Sequence, residues 1–310
     1  MIVLACPGQG SQTPGFLAPW IEQPAGRERI EAFADAAGVD LVAAGTTWDA
    51  DAIRDTKIAQ PLIVAAGLLA AETLAEARGG ADAPQAGGVA GHSVGEITAL
   101  VLAGVLSAEE GMRLVGVRGR AMADAAALEP TGMSAVVGGD EAAVLARIDE
   151  LSLTPANHNG AGQIVAAGSL SALAELAEAA PRGARVIPLQ VAGAFHTAYM
   201  SSAVSALQDA AADVTPAEPR ISLWSNRDGS VVGSGDAALH LLVGQVASPV
   251  RWDLCMAGFA DAGITGLIEL APAGTLVGLA KRGLRGVPTV AVKTPEDIGA
   301  AVALLQEETA

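Results

Sequence analysis

Ser93 stands in Gly91-His92-Ser93-Val94-Gly95, a G-x-S-x-G spacing that suits a nucleophilic serine on a tight turn. Val89-Ala90 ahead of it reads as a strand, and Glu96 to Leu102 behind it as a helix, which is the context the turn needs. The flanking glycines allow the turn to project Ser93 Oγ outward at the helix N-terminus. There the backbone N–H of Val94 would face a substrate, and the helix dipole would favour a developing oxyanion. The chemistry implied is acyl transfer through a serine ester. The plainer reading is a serine that caps the helix.

A serine hydroxyl needs a base, and the chain offers His92, His158, His196 and His240. His92 adjoins the serine, and neighbouring side chains point apart, so it is expected to support the site rather than act as base. His240 sits in a helical stretch and reads as a partly exposed structural residue. His158 lies between two Asn and is expected in a loop, where hydrogen bonding accounts for it. His196 ends Val191-Ala-Gly-Ala-Phe-His196 inside a long uncharged stretch between Arg185 and Asp209, and chemistry alone favours it over His158 as the base. Asp124, Asp140 and Asp149 fall between serine and histidine in the chain, but each suits the polar side of a helix or turn. A carbonyl could orient the imidazole instead.

Arg118 is the other informative residue. Leu114, Val115, Ala121, Met122 and Ala125 form one apolar helical stripe with position 118 in its middle, whereas Arg113 and Arg120 lie off it and read as solvated. A buried guanidinium requires a partner. A structural ion pair and a bidentate clamp on a substrate carboxylate fit equally well. The loop Gly8 to Gly15 lacks the dinucleotide pattern, because Thr13 takes the third glycine's place, and lacks the phosphate-loop Lys, because Phe16 follows Gly15. It reads as a loop that brings a backbone N–H near Ser93. No cluster has metal-ligand spacing, so no metal or cofactor is expected.

Elements must position these groups. Ile2 to Cys6 reads as a buried strand, and Ile58, Leu62, Ala65 and Leu69 step with the period of an amphipathic helix reaching about Ala77. A Gly- and Ala-rich loop is expected over 79–88. Ser107 with Glu110 has capping-box spacing for the Arg118 helix. From 131 to 191 the order is strand (133–137), helix (141–151), strand (154–157), strand (163–167), helix (171–180) and strand (185–190), a ferredoxin-like unit. Strands are expected again at 221–224, 266–270 and 289–292. This predicts an α/β protein with a discontinuous large domain, 1–130 and 192–310, and a small domain, 131–191, inserted in it.

The chain has 310 residues, with 18 Lys and Arg against 34 Asp and Glu and a net charge of −16. That balance disfavours nucleic acid, since there is no basic face to release counterions from phosphates. Hydrophobic residues reach 51% but aromatics only 3%, so the core is built from Ala, Val and Leu. Cys6 and Cys255 are too few for a disulfide framework and read as buried thiols in a reducing cytoplasm. No signal peptide is expected ahead of the first strand, and the uncharged stretch before Asp209, with Pro188, Gln190, Gly193, His196, Thr197 and several Ser, reads as a poor membrane span.

Taken together, Pro7-Gly-Gln-Gly-Ser-Gln12, Gln60-Pro61, Gly91-His-Ser-Val-Gly-Glu96, Arg118-Gly119, Asn157 with Gln163-Ile-Val165, Gly193-Ala-Phe-His196 and Gln245-Val-Ala-Ser-Pro-Val-Arg-Trp252 resemble the malonyl-CoA:acyl carrier protein transacylases of fatty acid synthesis. The resemblance covers essentially the whole chain in order and length. It implies an α/β-hydrolase-like large domain with an inserted ferredoxin-like small domain and the site between them. It also implies Ser93 as nucleophile, His196 as base held by the Gln245 main-chain carbonyl, and the N–H groups of Gln9 and Val94 as oxyanion hole. Arg118 would hold the malonyl carboxylate, with Asn157, Gln60 and His92 as polar surroundings. Gly193-Ala-Phe-His196 is close to the His-Ala-Phe-His of malonyl-selective modular acyltransferases, with Gly in place of the first His.

The expected reaction is ping-pong transfer from malonyl-CoA, releasing CoA, to the phosphopantetheine of acyl carrier protein, by a cytoplasmic monomer. The carrier is acidic, so a protein of this charge needs a local basic patch, and Lys281, Arg282 and Arg285 are the candidates; a helix end stabilised by its dipole explains them equally. Three rivals remain: a serine thioesterase or esterase, a polyketide-pathway acyltransferase, and a silent docking module for the carrier.

Overall fold

The computed structural model describes residues 1–79 and 85–307, so the middle of the loop expected over 79–88 lies outside the described residues. The chain begins with β1 (Ile2–Cys6), α1 (Pro24–Ala37), α2 (Leu41–Thr46), α3 (Thr56–Ala77), β2 (Gly88–Gly91), α4 (Gly95–Leu102) and α5 (Ala108–Ala126). Then come β3 (Thr131–Gly138), α6 (Glu141–Glu150), β4 (Thr154–Gly160), β5 (Gln163–Ser169), α7 (Leu170–Glu178) and β6 (Ala184–Pro188). It closes with α8 (Ser201–Ala211), β7 (Ser222–Trp224), α9 (Gly235–Gln245), β8 (Val250–Arg251), α10 (Trp252–Asp261), β9 (Gly266–Glu269), α11 (Thr275–Gly283), β10 (Thr289–Ala291) and α12 (Ile298–Glu307). The result is a mixed α/β fold with two sheets.

The first sheet has the order β10-β9-β1-β2-β7, and each neighbouring pair is parallel. Both of its faces are covered, which is why its strands are mostly apolar, with Glu269 of β9 buried among them and accepting from the Gly274, Leu276 and Val277 N–H groups. Ile2 and Cys6 face a core built with α3, α4 and α5, while Val3 and Ala5 face Trp252, Phe259 and Leu276 on the other side. The Ser93 turn leaves from the carboxyl end of β2 beside that of β1, the end of the strands where sites form in parallel sheets, and the strand order reverses on the other side of β1, between β1 and β9.

The second sheet runs β6-β3-β5-β4-β8. The element order expected over 131–191 is present, and β3 to β6 pair antiparallel. On one face, Val136, Ile164 and Ala166 pack against Val144, Ile148, Leu173 and Leu176 of α6 and α7. On the other face, Met133, Ala135 and Val165 join the main core. Unforeseen is β8, a two-residue strand that returns after α9 and pairs parallel with β4 through Asn157–Val250 and His158–Arg251. Segment 131–191 is therefore continued by a strand from outside it. His158 lies in this sheet, not in the expected loop.

Two helices carry the site from behind. The spacing of apolar residues suggests one wet face for α3, but every residue from Ala59 to Ala71 is buried. By length and composition α3 could cross a membrane; here it is a core helix, packed on α5, α4, α1 and α12. In α5 the capping box forms: Glu110 N donates to Ser107 Oγ (3.1 Å) and Ser107 N to Glu110 Oε2 (2.8 Å). A Cβ at position 119 would lie 3.1 Å from Thr56 O, so Gly119 permits the close crossing that puts Arg118 beside Gln60. Arg113 and Arg120 are not simply solvated. They donate to the Ala210 and Ala37 carbonyls.

Candidate active site

Ser93 leaves the carboxyl end of β2 on a turn with φ of +55°, a conformation that costs a non-glycine residue about 1–3 kcal/mol. The neighbours explain how it is held. A Cβ at Gly91 would sit 2.0 Å from the Gly95 carbonyl carbon, and one at Gly95 would sit 2.1 Å from Cys6 O, so only glycine lets β1, β2 and α4 approach this closely. Asn226, just beyond β7, then fastens the turn. Its Nδ2 donates to Gly91 O (2.6 Å), and its Oδ1 accepts from Ser93 N (2.8 Å).

His196 reaches the same point from the segment after β6, also at positive φ (+61°). That segment is pinned by Ala194 N donating to Thr131 Oγ1 and by Thr197 Oγ1 donating to Ala194 O. His196 Nε2 lies 2.8 Å from Ser93 Oγ, and Nδ1 lies 3.0 Å from Gln245 O. A carbonyl can only accept, so Nδ1 carries the proton and Nε2 presents its lone pair to the serine hydroxyl. Burial, then the nearby Arg118 charge, push the imidazole down to about 3, against the pull of the Gln245 carbonyl. The ring is neutral at pH 7.

Arg118 is 1% exposed below the cleft floor. Nη1 donates to Gln60 Oε1 (2.7 Å), Nη2 to Gln245 Oε1 (2.9 Å), and Nη2 reaches Ser93 Oγ at 3.4 Å. Its Nε is buried without a partner. Among the described residues no carboxylate comes within ion-pair distance, so the structural ion pair weighed from the sequence is not formed. Burial lowers the guanidinium to about 10, partly offset by the Glu96 carboxylate, and it remains charged.

The cleft itself has a volume of about 270 Å³ and is lined by Gln9, His92, Ser93, Asn157 and His196 together with apolar Met133, Val165 and Leu276. Gln9 and Gln12 anchor their loop by donating to the Arg54 and Ile53 carbonyls. Among the described residues, the backbone N–H groups of Gln9 and Val94 donate to no protein acceptor, whereas Gly95 N and Glu96 N bond to His92 O and Ser93 O. His92 Nε2 lies 2.9 Å from Asn159 Oδ1, and its ring packs on Trp252 at 5.6 Å. Asn159 Nδ2 donates to Gln163, so Nε2 of His92 is the protonated nitrogen; burial lowers its pKa.

Gln60 does not line the cleft; it lies buried behind Arg118. Lys281, Arg282 and Arg285 are exposed at and beyond the end of α11, whose Thr275, Leu276 and Leu279 line the cleft. His240 is exposed on α9. Sequence reasoning missed Asn226, Asn159 and the role of Glu96, which accepts from Asn226 N (2.7 Å) and Gln245 Nε2 (2.7 Å). Nothing in the sequence ties Asn226 to the Ser93 turn beyond its being a polar residue just past an expected strand.

Residues 3–302 match the family model described as an acyl transferase domain. A curated malonyl CoA-acyl carrier protein transacylase of Mycobacterium tuberculosis is 53% identical over 300 residues, covering 96% of this chain and 98% of that protein. The crystal structure of MCAT from Mycobacterium tuberculosis has a TM-score of 0.93 at 52% identity, over 97% of this chain and 99% of that one. A malonyl-transacylase solved in complex with its holo type II PKS acyl-carrier protein has a TM-score of 0.88 at 29% identity, over 97% and 99% of the two chains. This chain belongs to the acyl transferase domain family, among the malonyl CoA-acyl carrier protein transacylases.

Proposed function

We propose that the protein moves the malonyl group from malonyl-CoA to the phosphopantetheine thiol of acyl carrier protein through a malonyl ester on Ser93, supplying fatty acid synthesis. Ser93 Oγ attacks the thioester carbonyl while its proton passes to His196 Nε2, 2.8 Å away. The N–H groups of Gln9 and Val94 stabilise the tetrahedral oxyanion, and CoA leaves with the proton from His196. The carrier thiol then gives its proton to His196 and attacks the ester carbonyl, and as the Ser93 Oγ–acyl bond breaks His196 returns that proton to Oγ. Gln245 O holds the imidazole in the tautomer that both halves need. His92 and Asn157 form the polar lining, and Gln60 steadies Arg118. These steps use side chains and main-chain N–H groups alone, with phosphopantetheine arriving on the substrate.

One observation carries the reading: a buried charged Arg118 touches Ser93 Oγ yet meets only neutral oxygens, which suits an acyl group bearing its own carboxylate. Removing one partner of a buried charge pair costs about 3 kcal/mol or more. Arg118→Ala is therefore expected to lower malonyl loading about 100-fold, while acylation of Ser93 by a neutral ester such as p-nitrophenyl acetate falls far less. Equal loading of both acyl groups by the variant would remove the malonyl assignment and favour the esterase.

The architecture we assign is an α/β-hydrolase-like domain, 1–130 and 192–310, with a ferredoxin-like insert, 131–191. The order β6-β3-β5-β4 supports the insert, with β8 as an added edge strand. Carrier docking is assigned to Lys281, Arg282 and Arg285, and the enzyme is read as a cytoplasmic monomer whose two cysteines are buried and unpaired. The structural likeness to a transacylase bound to a polyketide carrier supports one second reading, service to such a pathway.

A further inference from the structure

Glu96 is 4% exposed directly behind the Ser93 turn, and no step above uses it. Its two oxygens accept from Asn226 N and from Gln245 Nε2, each at 2.7 Å. The same Nε2 donates to the Ser93 carbonyl at 2.9 Å. A carboxamide has one donating and one accepting end. With Nε2 held by a carboxylate and a carbonyl, Oε1 is left to face Arg118 Nη2 at 2.9 Å. Anion and cation thus sit at opposite ends of a single amide. Direct contact would neutralise the guanidinium and occupy donors that an incoming carboxylate needs.

We propose that Glu96 is a positioning residue for recognition of the acyl carboxylate: it orients the Gln245 amide, and through it keeps Arg118 charged, held and uncapped beside Ser93. The inference deepens the functional reading above and rests on it, since Arg118 is taken as the carboxylate's partner.

The electrostatics agree with this geometry. Burial raises the Glu96 carboxyl to about 7, opposed by the Asn226 N–H, Arg118 and the Gln245 amide. The titratable groups facing it are Arg118 from α5, Cys255 from α10 and, across Gln245, His196. A protonated Glu96 would offer an O–H where both neighbours are donors. The amide would then turn over and set Nε2 against Arg118.

The test compares kcat/KM for malonyl loading from malonyl-CoA with Ser93 acylation by p-nitrophenyl acetate, in full-length wild type, Glu96→Gln, Arg118→Ala and the exchange Glu96→Gln/Gln245→Glu. Glu96→Gln is expected to lower the malonyl-to-neutral ratio at least about tenfold, the scale of one charged hydrogen bond. In wild type the ratio should fall as pH drops through about 7, and in Glu96→Gln that fall should vanish. The exchange variant keeps donor–acceptor pairing between positions 96 and 245 but sets a carboxylate directly on Arg118, so its malonyl-to-neutral ratio should fall, even where loss of the donor to the Ser93 carbonyl lowers the Tm.

If Glu96→Gln does not fold, the exchange variant and the wild-type pH profile decide. A ratio unchanged in Glu96→Gln while Arg118→Ala abolishes it would overturn the role of Glu96 and leave Arg118 standing. A ratio that Arg118→Ala leaves intact would overturn the functional reading, and the Glu96 proposal with it. Loss of both activities in parallel, with a wild-type ratio independent of pH, would reduce Glu96 to a fold-stabilising residue and overturn the proposal.

Discussion

Ser93 and His196 both adopt positive φ and are hydrogen-bonded to each other, so backbone strain is concentrated where two side chains must converge. The serine was legible from its flanking glycines, and the histidine from the uncharged stretch around it. The state of the histidine was not, because that depends on burial and on the distance to Arg118. With its pKa depressed to about 3, the imidazole stays neutral as pH falls from 8 to 5, and the base form is present throughout. An unshifted histidine would be half protonated near pH 6.5. Ser93 acylation by p-nitrophenyl acetate, which brings no carboxylate to Arg118, should therefore show no inflection near pH 6.5 in a burst-phase measurement. An acid limb there would mean that burial and Arg118 do not depress His196.

The strand-turn-helix of β2 and α4 works because glycine is required on both sides of Ser93 for different reasons. Gly91 makes room for the backbone of α4 itself, and Gly95 makes room for the end of β1. Gly95→Ala would place a Cβ 2.1 Å from Cys6 O, an overlap of backbone with backbone. We expect a loss of about 3 kcal/mol in urea unfolding, at the upper end for overpacking, with acylation reduced as the turn shifts. A variant as stable as wild type would show that the strands can separate freely. Elements with a clear period or cap, such as α5 with Ser107 and Glu110, were legible. The full burial of α3, the strand around His158 and the arrival of β8 were not, because each depends on partners distant in the chain. Asn226 and Glu96 were hidden for the same reason: 130 positions separate residues that meet at one hydrogen bond.

At the scale of the molecule, a net charge of −16 repels other anions, so a surface for an anionic partner has to be a local exception. Lys281 and Arg282 are exposed on the helix that also lines the cleft, and Arg285 just beyond its end, which would bring an anionic partner to the site's mouth. Reversing their charges should raise the apparent KM for holo acyl carrier protein about tenfold, and added salt should weaken wild type more than the variant. A KM unaltered by the reversal would place docking elsewhere. The two-sheet α/β plan and the order of elements were legible from the rhythm of the chain. The cleft between the sheets came only from the resemblance and not from any local pattern, since it exists only where the carboxyl ends of β1 and β2 face β4 and β5. The central claim is that the malonyl group rests on Ser93 between two thiols. Intact-protein mass spectrometry after brief exposure to malonyl-CoA tests it directly. The account predicts a malonyl adduct on wild type, none on Ser93→Ala, and its discharge by holo acyl carrier protein. An equal adduct on Ser93→Ala, or no adduct on wild type while the carrier is still malonylated, would contradict it.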